Sequence, residues 1–132
     1  VKKIVYIAGP MTGIPELNFP AFNEAAKRWS EAGWLVLNPA SHLGGATDGE
    51  YSQYMRVSFH DLLVADAIAL LPGAEASAGA SAEIIVAERL GLPFFDAETM
   101  DELDPPVSGL TVRKVQILER ERKALLLSLS GR

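Results

Sequence analysis

Apolar residues along this chain arrive in two alternating rhythms. Four short runs are almost unbroken: KIVYIA at Lys3 to Ala8, WLVLNP at Trp34 to Pro39, DAIALLP at Asp66 to Pro72, and LPFFDA at Leu92 to Ala97. The first three end at Gly or Pro, and all read as strands buried on both faces. Between them the period lengthens to that of a helix. From Pro20, residues Phe22, Ala25, Ala26 and Trp29 recur at spacings of three and four, with Gly33 as the stop signal. Tyr51 to Val64 carries Met55, Phe59, Leu62 and Leu63 at i, i+4, i+7 and i+8, expected to face inward, with Tyr54 and Val57 on the flank that also holds Asp61. A third helix is expected over roughly Ala80 to Leu90.

Strands that alternate with helices predict an α/β domain with a parallel sheet covered on both sides. The expected fold is a three-layer, doubly wound sheet of four to five strands, Rossmann-like or flavodoxin-like, with a C-terminal helix. Right-handed crossovers then set the loops after the strands along one edge, where open sheets bind ligands. Gly9 to Gly13, Asn38 to Ser41 and Gly73 to Gly79 fall there.

The domain is expected over residues 1–104. Its last stretch, starting at Asp96, is the acidic DAETMDELDPPVSG, whose Pro-Pro-x-x-Gly break reads as a linker or a frayed helix. Residues 105–132 form a helical extension, with Val115, Leu118, Leu125 and Leu129 on one face and Arg122 interrupting it. Such a stripe packs on the domain's own core or on a second copy, and a homodimer or higher homo-oligomer is the expected assembly.

Composition narrows the classes. Hydrophobic residues at 48% against 22% charged ones, over 132 residues, argue for a folded core rather than disorder. A net charge of −5 without any Lys/Arg stripe argues against a nucleic-acid polymer as partner. Cysteine is absent, which excludes disulfides and thiolate metal sites and suits the cytoplasm. No apolar run reaches the roughly 18 residues of a membrane span, and VKKIVYIAG lacks the pattern of a signal peptide. A soluble, cytoplasmic chain is expected.

The candidate chemistry lies in ALLPGAEASAGASAEIIVAERLG, residues 69–91. After Pro72-Gly73 the loop is stripped to Ala, Gly and Ser except at Glu75, and Glu83 follows at the start of an apolar helical pattern. A strand end, a loop of small residues and a helix start make an anion site, because free N–H groups point outward and no bulky side chain blocks a phosphate. Ser77 or Ser81 is placed to cap that helix and to donate to phosphate. The first loop, AGPMTG, has the same construction. Together Gly9, Met11, Thr12, Gly13, Ser77, Gly79 and Ser81 outline a cradle for a nucleoside or nucleotide. Met11 and Met55 suit either a base pocket or core gaps.

A carboxylate beside a bound phosphosugar has two readings. Glu83 attacks a sugar carbon, or it is simply a favourable residue in a helix's first turn. His42 and His60 lack further ligands at metal spacing, so no metal site is expected. Asn18 and Phe19 either close over a ligand or begin the turn before Pro20. Tyr54 is expected to pack at the margin of its helix's apolar face.

VYIAGPMTG, HDLLVADAIALLPG and SAGASAE, in that order over about residues 3–95, resemble the nucleoside 2-deoxyribosyltransferase family. The likeness includes its 2′-deoxynucleoside 5′-phosphate N-hydrolase relatives and is closest to a branch common in phages and prophages. The resemblance implies Glu83 as nucleophile, Tyr6 as the strand residue supporting it, and Asp61 as the acid that handles the departing base, with Asp66 as the fallback. Ser77, six positions before Glu83, stands where the phosphate hydrolases carry Ser and the transferases Asp, and so implies a nucleotide substrate. The chain departs from the family's pattern in its first loop, where Thr12 and backbone N–H groups replace an Arg, and in its tail, which does not match the region that completes a neighbour's site. The implied reaction is retaining cleavage or exchange at an N-glycosidic bond, without metal or cofactor. Two alternatives stand beside it. One is a nucleotide-binding module without turnover. The other is a phosphoribohydrolase whose Pro-Gly-Gly-x-Gly-Thr-x-x-Glu loop is echoed by PGAEASAGASAE, which lacks the Gly-Gly and the Thr.

Overall fold

The computed structural model describes residues 1–45, 49–106, 120–124 and 126–128. In chain order the elements are β1 (Ile4–Ala8), α1 (Phe19–Glu31), β2 (Leu35–Leu37), α2 (Tyr51–Val64), β3 (Ala67–Leu70), α3 (Ala78–Arg89), β4 (Phe94–Asp96) and β5 (Glu102–Leu103). They form one five-stranded sheet in the order β2-β1-β3-β4-β5. β1 runs parallel to β2 and β3, and β3 to β4. This is the flavodoxin-like strand order of a doubly wound sheet.

Period-two alternation along β1 sorts its side chains into two cores. Val5 and Ile7 meet Phe22, Ala25 and Trp29 of α1. Tyr6 and Ala8 point the other way, into a core with Leu62 of α2 and Ile84 of α3. The sheet is thus covered by α1 on one face and by α2 and α3 on the other. Under α1 the packing is aromatic: Trp29 makes edge contacts with Trp34 and Phe95, at centroid separations of 5.2 and 5.6 Å. The Trp29 indole N–H donates to the Ala97 carbonyl at 2.9 Å, so even this polar atom is matched.

The helix limits follow local chemistry. Pro20 stands in the first turn of α1, where its missing N–H costs nothing, and Gly33 beyond its end holds φ at +98°. α2 opens on a capping box between Glu50 and Gln53, whose Oε1 accepts from the Glu50 N–H at 2.8 Å. Ser77 caps α3, its Oγ accepting from the Ala80 N–H at 3.4 Å.

Two expectations change. On α2 the buried residues are Ser58 and Leu62, while Phe59 and Leu63 are exposed. The inward face is rotated because α2 covers a cavity that holds Ser58 and Glu83 as well as the apolar core. Over residues 96–103 the acidic stretch is neither a linker nor a helix. The Asp96 carboxylate accepts from the Glu98 and Thr99 N–H groups at 2.8 and 2.9 Å, and this turn folds β5 back as an antiparallel edge strand. Of the C-terminal extension, residues 120–124 and 126–128 are helical. The expected stripe residues Val115, Leu118, Leu125 and Leu129 lie outside the described residues. Among the described residues no helix is long and apolar enough to cross a membrane.

Candidate functional site

The chain leaves β1 for α1 on one face and leaves β3 for α3 on the other. Where these two crossovers part, a doubly wound sheet opens a crevice at its C-terminal edge. A cavity of about 240 Å³ occupies that place, lined from β1 and its loop by Tyr6, Gly9, Met11 and Thr12. α3 contributes Ser77, Gly79, Ala80 and Glu83, and α2 contributes Tyr51, Tyr54, Met55 and Ser58. Pro39 and His42, from the 3₁₀ turn Pro39–Gly45 after β2, and Phe19 and Phe22 at the start of α1, close the remaining sides.

Glycine is needed at the floor. A Cβ on Gly9 would stand 2.8 Å from Cβ of Leu71, so only glycine leaves room for the Leu71 side chain where the loops after β1 and β3 meet. Over the mouth, Glu16, Leu17 and Asn18 all lie in the left-handed region, at φ of 57°, 53° and 63°. That conformation costs an L-residue roughly 1–2 kcal/mol. The Asn18 side chain donates to the Pro10 carbonyl at 3.0 Å and ties this turn to the first loop, while Leu17 joins the cavity wall.

Glu83 is the centre of the site. α3 begins at Ala78, two residues earlier than expected, so Glu83 falls in the second turn and not the first. Neither the helix dipole nor a capping role accounts for it, because both act within the first turn. Its side chain is 6% exposed and lines the cavity, and the Tyr6 hydroxyl donates to its Oε2. Burial pushes the carboxyl up to about 7; hydrogen bonds from Tyr6 and Ser58 hold it back, and the charge of Asp61 adds to the rise. Near neutrality Glu83 is therefore divided between acid and carboxylate. Burial, with the neighbouring Glu83 charge, also raises the Tyr6 phenol well above its ordinary range, so Tyr6 remains a donor.

Asp61 joins the site at one remove. It does not line the cavity, and its Oδ2 lies 3.0 Å from Nε2 of His42, which does. The His42 ring stacks over Tyr6, with centroids 6.3 Å apart and planes 27° from parallel. His60 approaches the other Asp61 oxygen at 3.9 Å from the exposed side. Among the described residues no group of three or more His, Cys, Asp or Glu stands together as a metal-ligand set.

Of the residues expected from sequence, Tyr6, Gly9, Met11, Thr12, Ser77, Gly79 and Glu83 meet at the cavity. Gly13 and Ser81 are not in its wall. The Ser81 hydroxyl turns back to donate to the Glu75 carbonyl at 2.9 Å, leaving Ser77 as the cap. Asp66, the fallback acid, lies at the opposite end of the sheet, where its Oδ2 accepts from the Ile4 N–H at 2.8 Å. Sequence reasoning passed over His42, Ser58 and the wall formed by Tyr51 and Tyr54. One signal was available: Tyr54, Ser58 and Asp61 at i, i+4 and i+7 form a polar stripe down a helix that otherwise looks amphipathic. For His42, in a Gly-rich turn, nothing local marks the role.

A family model described as a domain of unknown function (DUF4406) matches residues 3–96. That span holds β1 through β4 and every residue of the cavity wall. No curated protein matches the chain.

Proposed function

The chain belongs to the DUF4406 family, and from the site it carries we propose that it cleaves, or exchanges the base across, the N-glycosidic bond of a (deoxy)nucleoside or its 5′-monophosphate. The observation that carries this reading is Glu83: a buried carboxyl on the wall of a small cavity, hydrogen-bonded by Tyr6 and half ionised near neutrality. Charge kept in a desolvated hollow at a cost in stability is a mark of function. It supports the likeness to the nucleoside 2-deoxyribosyltransferases, whose nucleophile falls on this residue.

In the proposed reaction a carboxylate oxygen of Glu83 attacks the anomeric carbon while the bond to the base nitrogen breaks and the base leaves with the electron pair and a proton. Tyr6 holds the carboxylate in line. Water or a second base then displaces Glu83 from the glycosyl ester. Phe19, Tyr51 and Tyr54, with Met11 and Met55, provide an apolar and aromatic wall suited to a planar base. The cavity is slightly smaller than the roughly 300–1,000 Å³ usual for drug-sized ligands, which suits a single nucleoside. Ser77 favours a nucleotide by resemblance. Against that, among the described residues no Lys or Arg lines the cavity, which favours a neutral 5′ end. The proposed setting is the cytoplasm, for which a cysteine-free chain is suited.

The test is incubation with nucleosides and their 5′-monophosphates, followed by chromatography for free base. Wild type is expected to release base, and Glu83→Gln to lose at least roughly 10³-fold of that rate while still binding ligand. Saturable binding without any base release by wild type would instead assign a nucleotide-binding module.

A further inference from the structure

Resting on the glycosidic reading of the site, we infer that His42 is the catalytic acid that protonates the departing base, and that Asp61 is the residue that positions it. Resemblance assigns the proton to Asp61 directly, but the geometry separates the two. His42 lines the cavity and is 6% exposed, whereas Asp61 is absent from the wall and faces the imidazole. The Asp61 carboxylate at 3.0 Å engages Nε2 of His42. An acceptor there keeps the Nε2 proton in place and stabilises the imidazolium. Nδ1 is left without a hydrogen-bond partner among the described residues, on a ring that forms part of the cavity.

A buried histidine backed by a carboxylate is an expensive arrangement for packing alone. An apolar side chain would fill the same volume against the Tyr6 ring. As an acid–base group, the pair accounts for its cost. When the bond from the anomeric carbon to the base nitrogen breaks, the electron pair goes to the base, and the proton on Nδ1 passes to a base nitrogen or oxygen. The sugar carbon is taken by Glu83. In the second half, water attacks that carbon, its proton returns to Nδ1, and Glu83 leaves as a carboxylate. The net change is nucleoside plus water to sugar plus base. Glu83 and His42 approach the site on either side of Tyr6, one bonded to its hydroxyl and the other stacked on its ring, so nucleophile and acid are held by a common support.

The experiment compares two leaving groups on the same sugar: the natural base found to be released, and nicotinamide linked through its ring nitrogen. Nicotinamide leaves as a neutral molecule and takes no proton. With release measured in the first turnover, before water resolves the Glu83 ester, His42→Gln is expected to slow natural base release roughly 10²- to 10⁴-fold, the range of general acid catalysis, while nicotinamide release stays near the wild-type rate. Glu83→Gln should stop both. Equal slowing of both bases by His42→Gln would overturn the role of His42 and leave the glycosidic reading standing. Failure of wild type to release either base would overturn both.

Wild type alone provides a second measurement that needs no folded His42 variant. The groups facing His42 are Asp61 at Nε2, with His60 behind it on α2, and Tyr6 from β1, which carries Glu83 of α3; α1 presents the apolar Phe22. Glu83 must ionise for either leaving group and gives both pH profiles a rising limb. A falling alkaline limb is expected for the natural base only, and Asp61→Asn should slow release of that base while first-turnover nicotinamide release stays near the wild-type rate. Identical profiles for the two leaving groups would overturn the assignment.

Discussion

The two faces of one sheet are built on opposite rules. Beneath α1, Val5, Ile7, Phe22 and Trp29 pack against Ala67, Ala69 and Ala97, and no polar or charged residue is buried among them. Beneath α2 and α3 the same strands meet His42, Ser58, Ser81 and Glu83, which are the buried polar residues among those described. Val5 and Tyr6 are neighbours in sequence, and the pleat alone sends one to each side. The α1 face gains stability from transfer of apolar surface and from interlocked aromatic rings. The other face gives up some of that gain to hold a desolvated carboxyl, a phenol and an imidazole–carboxylate pair in fixed geometry. Among the described residues the buried polar side chains thus stand apart from the face that is packed by apolar groups alone.

The contrast can be broken most sharply at Trp29. Trp29→Ala should cost about 3–5 kcal/mol in urea denaturation, because it removes the ring that meets Trp34 and Phe95. If the variant still folds, the pH profile of the proposed base release should be unchanged. Next in size is a pH effect on the opposite face. Glu83 titrates at about 7 in the folded chain against an ordinary 4.5, so the folded state favours the protonated form. That stability is fully present below 4.5 and is lost as pH rises through 7, a change on the order of 3 kcal/mol. Urea midpoints of wild type should fall between pH 5 and 8 relative to those of Glu83→Gln.

Smaller still is Tyr6→Phe. It removes a hydrogen bond that lowers the Glu83 pKa, so the rising limb of base release should move to higher pH, with a stability loss of about 1 kcal/mol. The least effect is expected at the outer side of α2. Leu63 is exposed, and Leu63→Ser should change stability by less than about 0.5 kcal/mol. A large loss there would show that the apolar outer side of α2 is covered in solution, and would blur the division between the faces.

Much of this was legible without coordinates. The unbroken apolar runs are strands, and β1 through β4 lie where they were expected, but β2, at the sheet edge, is not buried on both sides, and Leu35 is 50% exposed. Tyr51 to Val64 is a helix over that whole span, since periodicity and the Glu50–Gln53 cap agree. In the loop after β1, Gly9 has a physical cause, since a Cβ there would run into the Leu71 side chain. What sequence could not reach was the rotation of α2 about its axis and the position of Glu83 within its helix. An amphipathic stripe of Met55, Phe59 and Leu63 competes with a polar stripe of Tyr54, Ser58 and Asp61, and only the cavity on the other side decides between them. Contacts remote in the chain were equally hidden. His42 meets Asp61 across 19 residues and Tyr6 meets Glu83 across 77, and no local propensity records either pairing. Sequence by itself determined the order of elements and the edge at which the cavity opens, because hydrophobic period and turn chemistry are local. Tertiary structure decided which side chains share the hollow, because burial and proximity are set by how the layers close.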